Sequence, residues 1–331
     1  EVMGFELRED EDTAERIRSY FKSKGGNMPE NNLKQAMLPV GGTVFENNHG
    51  TAPGAALEKN GKCVIILPGP PGELVPMFNE SVRGFLKKYS DGAIVSHTVN
   101  IIVLGESSVA EEIEDMFDAE NPTVAPYAKS GEVRLRITAK AETADEADRM
   151  CAPVVDEICS RLGDVVYGTD MNSIEERVVA LLKEKGKKIA TAESCTAGYI
   201  PKRLTDIPGA SEVFECGIVS YSNDIKTKLL GVSLKTLDTY GAVSEQTARE
   251  MALGATRVSG ADIAISTTGL AGPGGDGILP GGLSFAAVTD GERTVVEKIV
   301  TGHENDREYN RYVTASRALN LARLMLEEKM K

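Results

Sequence analysis

Histidine is scarce: the 331 residues hold only His49, His97 and His303, and none stands near the turn T-A-E-S-C-T-A-G at 191–198. A serine nucleophile in that turn must therefore find a base other than imidazole. Cysteine is sparse too. Cys63, Cys151, Cys159, Cys195 and Cys216 are odd in number, widely spaced and without a C-x-x-C pair, which argues against a disulfide framework or a zinc site. Buried thiols are the expected state for most of them. No apolar run approaches the ~20 residues of a membrane-spanning helix, and no charged start leads into a short apolar core of the signal-peptide kind. A soluble, cytoplasmic protein without a membrane partner is expected. The chain begins at Glu1 and no strand pattern precedes its first helical stretch, so an N-terminal domain cut on its leading side is expected as well.

What is present exceeds one ordinary core, and two or three domains are expected from the length. Residues 1–92 open with E-D-T-A-E-R-I-R-S-Y-F-K-S-K-G-G, where Ile17, Tyr20 and Phe21 recur at helix spacing and Gly25 and Gly26 stop the run. The strand C-V-I-I-L at 63–67 follows, closed by P-G-P-P-G-E. Residues 93–170 read as strand, helix, alternating strand and second helix, a small α+β module. Residues 171–331 alternate helices with strands, from N-S-I-E-E-R-V-V-A-L-L-K-E-K-G, capped at Asn172 or Ser173 and ended by Gly186, to a long amphipathic helix near 306–329. The fold class expected is α/β: a C-terminal α/β sandwich, a small α+β middle module and part of an N-terminal α/β domain.

Charge separates these segments. The middle module has sixteen acidic and six basic residues, a net of −10 out of the chain's −13, whereas 171–331 has twenty-one acidic and twenty basic. Its element order is compatible with a K-homology fold, but that fold grips RNA with a G-x-x-G loop, and none occurs between 93 and 170. A spacer or dimerisation module that does not bind nucleic acid is the expectation.

Ser194 follows the strand K-I-A-T-A and is expected to begin a helix, where free N–H groups favour developing negative charge. Taken alone, the turn suits an N-cap better than a nucleophile. Lys226 shifts the weight. With the strand G-I-V-S-Y ending at Tyr221 and Asn223 as N-cap, Lys226 falls one turn into a helix whose positive end disfavours an ammonium. A lysine acting as general base must be neutral near pH 7, which needs desolvation and positive potential. A Ser194/Lys226 pair with Tyr221 as relay or orienting group follows, against the alternative of a solvated lysine. The segment S-T-T-G-L-A-G-P-G-G-D-G at 266–277 leaves backbone N–H groups bare for an oxyanion or a phosphate, or is a flexible turn. It matches neither a P-loop nor G-x-G-x-x-G. Arg307, at the start of the last helix, offers a fixed positive charge to an anionic substrate. Cys195 is a competing nucleophile, since a thiol at a helix start tends toward a lowered pKa.

Taken together, T-A-E-S-C-T-A-G, G-I-V-S-Y-S-N-D-I-K-T-K-L-L-G-V, Y-G-A-V-S-E-Q-T-A-R-E-M-A, T-G-L-A-G-P-G-G and P-G-G-L-S-F resemble the C-terminal domain of the CinA family. The resemblance implies a nicotinamide-nucleotide amidohydrolase that turns nicotinamide mononucleotide into nicotinate mononucleotide and ammonia, with no metal or other cofactor. It makes Ser194 the nucleophile, Lys226 the base and Tyr221 its partner. Glu193, Thr196, Gly198, Asn223, Thr268, Gly269, Gly272 and Arg307 become substrate-binding positions, and a homo-dimer or larger homo-oligomer is expected. Residues 28–72 are similar to the family's molybdopterin-binding-like domain, through M-P-E-N-N-L-K-Q-A-M-L-P, H-G-T-A-P-G and L-P-G-P-P-G-E-L. Asn48, Gly50, Thr51, Pro68, Gly69, Pro70, Pro71 and Gly72 would be remnants of its phosphate cleft. The family's metal-dependent ADP-ribose pyrophosphatase activity needs a T-G-G-L-G-P-T-type loop and aspartates that this sequence lacks. A non-catalytic nucleotide-binding protein, or a pyrophosphatase if the leading half exists natively, are the alternatives.

Overall fold

An Asn-Gly pair closes one hairpin of the N-terminal segment. Asn60 and Gly61 are both left-handed, with φ of 53° and 73°, the geometry of a two-residue hairpin turn. In the computed structural model of the protein this segment contains β1 (Leu7–Glu9), α1 (Glu11–Ser23), β2 (Met37–Pro39), β3 (Thr43–Phe45), β4 (Gly54–Lys59), β5 (Lys62–Ile66), α2 (Pro71–Met77) and α3 (Arg83–Leu86). The structure describes residues 4–26, 28–89 and 91–330, so Glu1 and Lys331 lie outside it. Asp10 caps α1, accepting from the Thr13 amide at 2.8 Å, and Ile17 is buried while Tyr20 and Phe21 are half-buried. Two expectations are corrected. A short strand does precede the first helix, paired with β2, and β3, β4 and β5 form a second sheet. Every described pairing here is antiparallel, so the segment is α+β rather than α/β; the connections within β3-β4-β5 are too short for parallel crossovers.

The middle segment holds β6 (Ala93–Ile102), α4 (Glu106–Glu112), β7 (Thr123–Lys129), β8 (Glu132–Ala141), α5 (Ala144–Leu162) and β9 (Val166–Thr169). Its antiparallel sheet runs β7-β8-β6-β9, and one face packs α5 through Ala147, Cys151, Ile158 and Leu162. Strands β7 and β9 escaped the sequence reading. Pro126 interrupts the first, as only an edge strand tolerates, and the second has four residues.

The C-terminal segment consists of α6 (Ile174–Lys185), β10 (Ile189–Glu193), α7 (Tyr199–Thr205), β11 (Phe214–Val219), α8 (Asn223–Leu230), α9 (Leu234–Tyr240), α10 (Glu245–Ser259), β12 (Ile263–Gly269), β13 (Leu283–Thr289), β14 (Thr294–Val300) and α11 (Arg307–Leu326). Ser173 caps α6 and left-handed Gly186 ends it. The sheet order is β11-β10-β12-β13-β14; β10 is parallel to β11 and β12, and the remaining pairs are antiparallel. Alternation assigns the two faces. Ile189, Ile263, Ile265, Ala286 and Val288 pack against α6 and α11, while Ala190, Ala192 and Ala264 face Leu230 of α8 and Met251 of α10. Helices on both faces of a mixed sheet make an α/β sandwich.

The chain divides into two compact units, Glu1–Asp91 and Gly92–Lys331. The middle segment therefore belongs to the same compact unit as the sandwich. Ile102 and Tyr167 share the core of α6 and α11. Arg323 of α11 is fully buried and donates to the carbonyls of Asp164 and Val166. Buried Glu132 accepts from the Tyr167 and Tyr312 hydroxyls, each at 3.0 Å. Among the described residues no helix is long and apolar enough to cross a membrane.

Candidate active site

Neighbouring parallel strands whose chains depart to opposite faces of a sheet open a crevice at their carboxyl ends. β10 lies between β11 and β12, with Glu193 opposite Val219 on one side and Thr267 on the other. The segments beyond those three residues emerge side by side. They carry Ser194, then Tyr221 and Lys226, then Thr268 and Gly269, and a cavity of about 320 Å³ between them is lined by these residues with Cys195, Asn223, Gly272 and Arg307.

Ser194 does not begin a helix. Residues 194–198 form a turn, and α7 starts only at Tyr199, so no helix dipole acts at its first turn as expected. The serine is placed instead by the sheet, its amide donating to the Thr267 carbonyl at 2.9 Å. The cap of α8 is likewise displaced by one residue: Ser222 accepts from the Ile225 amide and Asn223 is the first helical residue. β11 ends at Val219, two residues before Tyr221. Lys226 thus stands at the fourth helical position, where its side chain reaches back under the crevice.

Lys226 is only 1% exposed. Its Nζ lies 3.0 Å from Ser194 Oγ, 2.8 Å from the Ser220 carbonyl and 3.4 Å from the Tyr221 carbonyl. Burial pushes its pKa below the ordinary lysine value, because desolvation disfavours the ammonium. A neutral amine has two N–H donors and one lone pair. With the amine neutral, the two carbonyls would take the donors and the lone pair would face the Ser194 hydroxyl. The solvated-lysine alternative does not hold.

Tyr221 serves Lys226 through its backbone, not its hydroxyl. Its side chain is 63% exposed, and the hydroxyl accepts from Arg307 Nη2 at 3.3 Å, so it stands at the cavity mouth rather than between serine and lysine. Arg307 also donates from Nη1 to the Gly272 carbonyl at 2.7 Å. Cys195 is buried, and burial raises its thiol to about 12, the reverse of the lowered value expected at a helix start. It carries negligible thiolate near neutrality.

Glu193, Thr196 and Gly198 lie outside the cavity lining and build the turn. Glu193 Oε2 accepts from the Tyr199 and Ile200 amides, and burial raises its pKa. Thr196 Oγ1 bonds Thr267 Oγ1 at 2.6 Å, and Gly198 is left-handed at φ 85°. Thr268 donates its hydroxyl to the Ala242 carbonyl at 2.6 Å. The glycine loop is less bare than expected. The Gly274 amide donates to the Glu304 carbonyl, and Gly272, at φ 89°, lies where a Cβ would strike that same carbonyl. Sequence reasoning missed the Ser220 carbonyl and Asn310, whose Nδ2 holds the loop at the Ala271 carbonyl, 2.9 Å away. Neither carries a local signal.

In the N-terminal unit, Asn48, Gly50 and Thr51 line a separate cavity of about 570 Å³ with Asp10 and Arg16. Pro68, Gly69, Pro70, Pro71 and Gly72 are absent from that lining. Pro70 and Pro71 start α2 instead, which brings Glu73 to Asn47 Nδ2 at 2.6 Å and against Gly50, where no Cβ fits. Among the described residues no group of three or more His, Cys, Asp or Glu is placed to hold a metal.

Fold and crevice together define an α/β protein with a buried serine–lysine pair at the carboxyl ends of adjacent parallel strands. Comparison with known proteins gives the family. The CinA C-terminal domain model matches residues 171–326 and the damage-inducible protein CinA KH domain model matches 96–168. A relative in Clostridium beijerinckii, named for competence and damage induction, is 52% identical over 91% of this chain and 74% of its own length. The CinA-like protein of Desulfovibrio desulfuricans is 45% identical over 97% of this chain and 76% of its own. The chain belongs to the CinA family. Among solved structures, the competence/damage inducible protein CihA from Agrobacterium tumefaciens is 38% identical, with a TM-score of 0.45 over 46% of this chain and 93% of that one.

Proposed function

We propose that the protein is a serine–lysine amidohydrolase that converts nicotinamide mononucleotide and water to nicotinate mononucleotide and ammonia. The observation that carries this reading is Lys226 Nζ, buried and 3.0 Å from Ser194 Oγ, at the floor of a cavity with Arg307 at its mouth. Ser194 Oγ attacks the carboxamide carbon while its proton passes to Lys226 Nζ. The resulting ammonium is held by the Ser220 and Tyr221 carbonyls, so charge develops where acceptors already stand. Lys226 then returns the proton to the departing amine, ammonia leaves, and an acyl ester remains on Ser194. Water, deprotonated by the same amine, hydrolyses that ester and restores both residues. The Arg307 guanidinium supplies the fixed charge that a 5′-phosphate needs. The test is ammonia release from nicotinamide mononucleotide by the full chain. Turnover by the wild type and its loss in Ser194→Ala are expected; a folded Ser194→Ala variant with near-native turnover would overturn the assignment.

A further inference from the structure

We propose that Arg311 is a positioning residue for Ser194, acting through the carbonyl of Thr196. The turn at 194–198 contains two consecutive left-handed residues, Ala197 at φ 51° and Gly198 at φ 85°. Glycine adopts that conformation freely, but alanine avoids it. The turn therefore persists only because its surroundings hold it. Its entry is pinned to β12 by the Ser194 amide and by Thr196 Oγ1, both bonded to Thr267. Its exit is pinned by Glu193 Oε2, which accepts the Tyr199 amide at 3.0 Å.

The peptide between Thr196 and Ala197 needs its own restraint, because its orientation sets the φ of Ala197. Rotating that peptide would relieve the alanine and swing the Thr196 carbonyl away. Arg311 Nη2 donates to this carbonyl at 2.7 Å, and its guanidinium lies 5.6 Å from the Tyr199 ring centroid, which limits its own freedom. Arg311 stands one helical turn after Arg307, so the start of α11 holds the nucleophile turn with one arginine and the cavity mouth with the other. The inference rests on the reading of Ser194 as nucleophile but not on the identity of the substrate.

The experiment compares wild type, Arg311→Met and Arg311→Lys by two readouts. One is the rate at which Ser194 is sulfonylated by a small aryl sulfonyl fluoride, followed by intact mass; Oγ displaces fluoride from sulfur and its proton passes to Lys226. The other is kcat and KM for ammonia release from nicotinamide mononucleotide against pH. Arg311→Met should lower labelling and kcat by about 10²-fold, the scale of an ångström-sized misplacement, with KM and the acidic limb of the pH profile unmoved. Arg311→Lys, which restores a donor, should recover part of both. Labelling of Arg311→Met at the wild-type rate, or a rise in KM at constant kcat, would overturn the proposal. Should Arg311→Met not fold, Arg311→Gln takes its place and is judged by the same rates. Lowered labelling in a protein that releases no ammonia from this nucleotide would refute the substrate and leave the positioning role standing. A wild type that neither labels nor deamidates removes the nucleophile, and this proposal with it.

Discussion

Replacing Lys226 with methionine keeps the length of a side chain that is 1% exposed and removes only its amine. Three consequences follow from the contacts. Ser194 loses its base, and general-base catalysis contributes about 10²–10⁴-fold, so kcat should fall by that factor while the fold stays intact. The Ser220 and Tyr221 carbonyls lose their donor, at about 1 kcal/mol for each bond. Against that, the variant no longer buries an ionisable group. The folded-state pKa of Lys226 is lowered by burial, so between that value and the unfolded lysine value the unfolded chain binds more protons than the native one. Wild-type stability therefore rises with pH across that window, by about 1.4 kcal/mol per unit of lowering. Methionine has no such dependence. The variant should match or exceed wild type in urea unfolding at pH 7 and fall behind it toward pH 10. In wild type the same group should give turnover an acidic limb, with activity lost as the pH drops through the lowered lysine value. Retention of a tenth of the turnover in a folded Lys226→Met protein would refute the base assignment, and a stability difference that does not change with pH would refute the desolvation argument.

Cys195→Ser should leave most of the ammonia release intact, because the buried thiol, raised to about 12, supplies no thiolate; loss comparable to Ser194→Ala would reverse the two assignments. His97 lies between Asp170, at 2.6 Å, and Asp148, at 2.8 Å, and the bond to Asp170 raises its pKa above the ordinary histidine value. Its contribution to stability is thus complete below pH ~6.5 and disappears as the pH rises through the folded-state value. The gap in urea midpoint between wild type and His97→Gln should be wide at pH 5.5 and closed at pH 9, and a gap independent of pH would refute the ionic role.

Much of the C-terminal fold was written locally. Ser173 and Gly186 bound α6 by capping chemistry that needs only adjacent residues. The alternation in β10, β12 and β13 sorts isoleucine and alanine to opposite faces before any packing partner is known. The same local reading slipped by one residue at Ser222, because serine and asparagine side by side both make good caps. It missed β1, β2, β3, β4, β7 and β9, of which all but β4 are short or stand at a sheet edge. The order Ser194, then Tyr221 and Lys226, then Thr268 is also in the sequence, each near a strand end. Whether those ends meet is not. That depends on β10 lying between β11 and β12, a pairing across some seventy residues that no local pattern encodes. The pKa of Lys226 belongs to the same class, since it is set by exclusion of water by chain far away in sequence. So do the burial of Cys195, the outward turn of the Tyr221 hydroxyl and the bond from Arg311 to Thr196, which spans 115 residues. The sequence determined which groups can react; the tertiary structure decided which of them lose water and face one another, because desolvation and direction are properties of the packed whole.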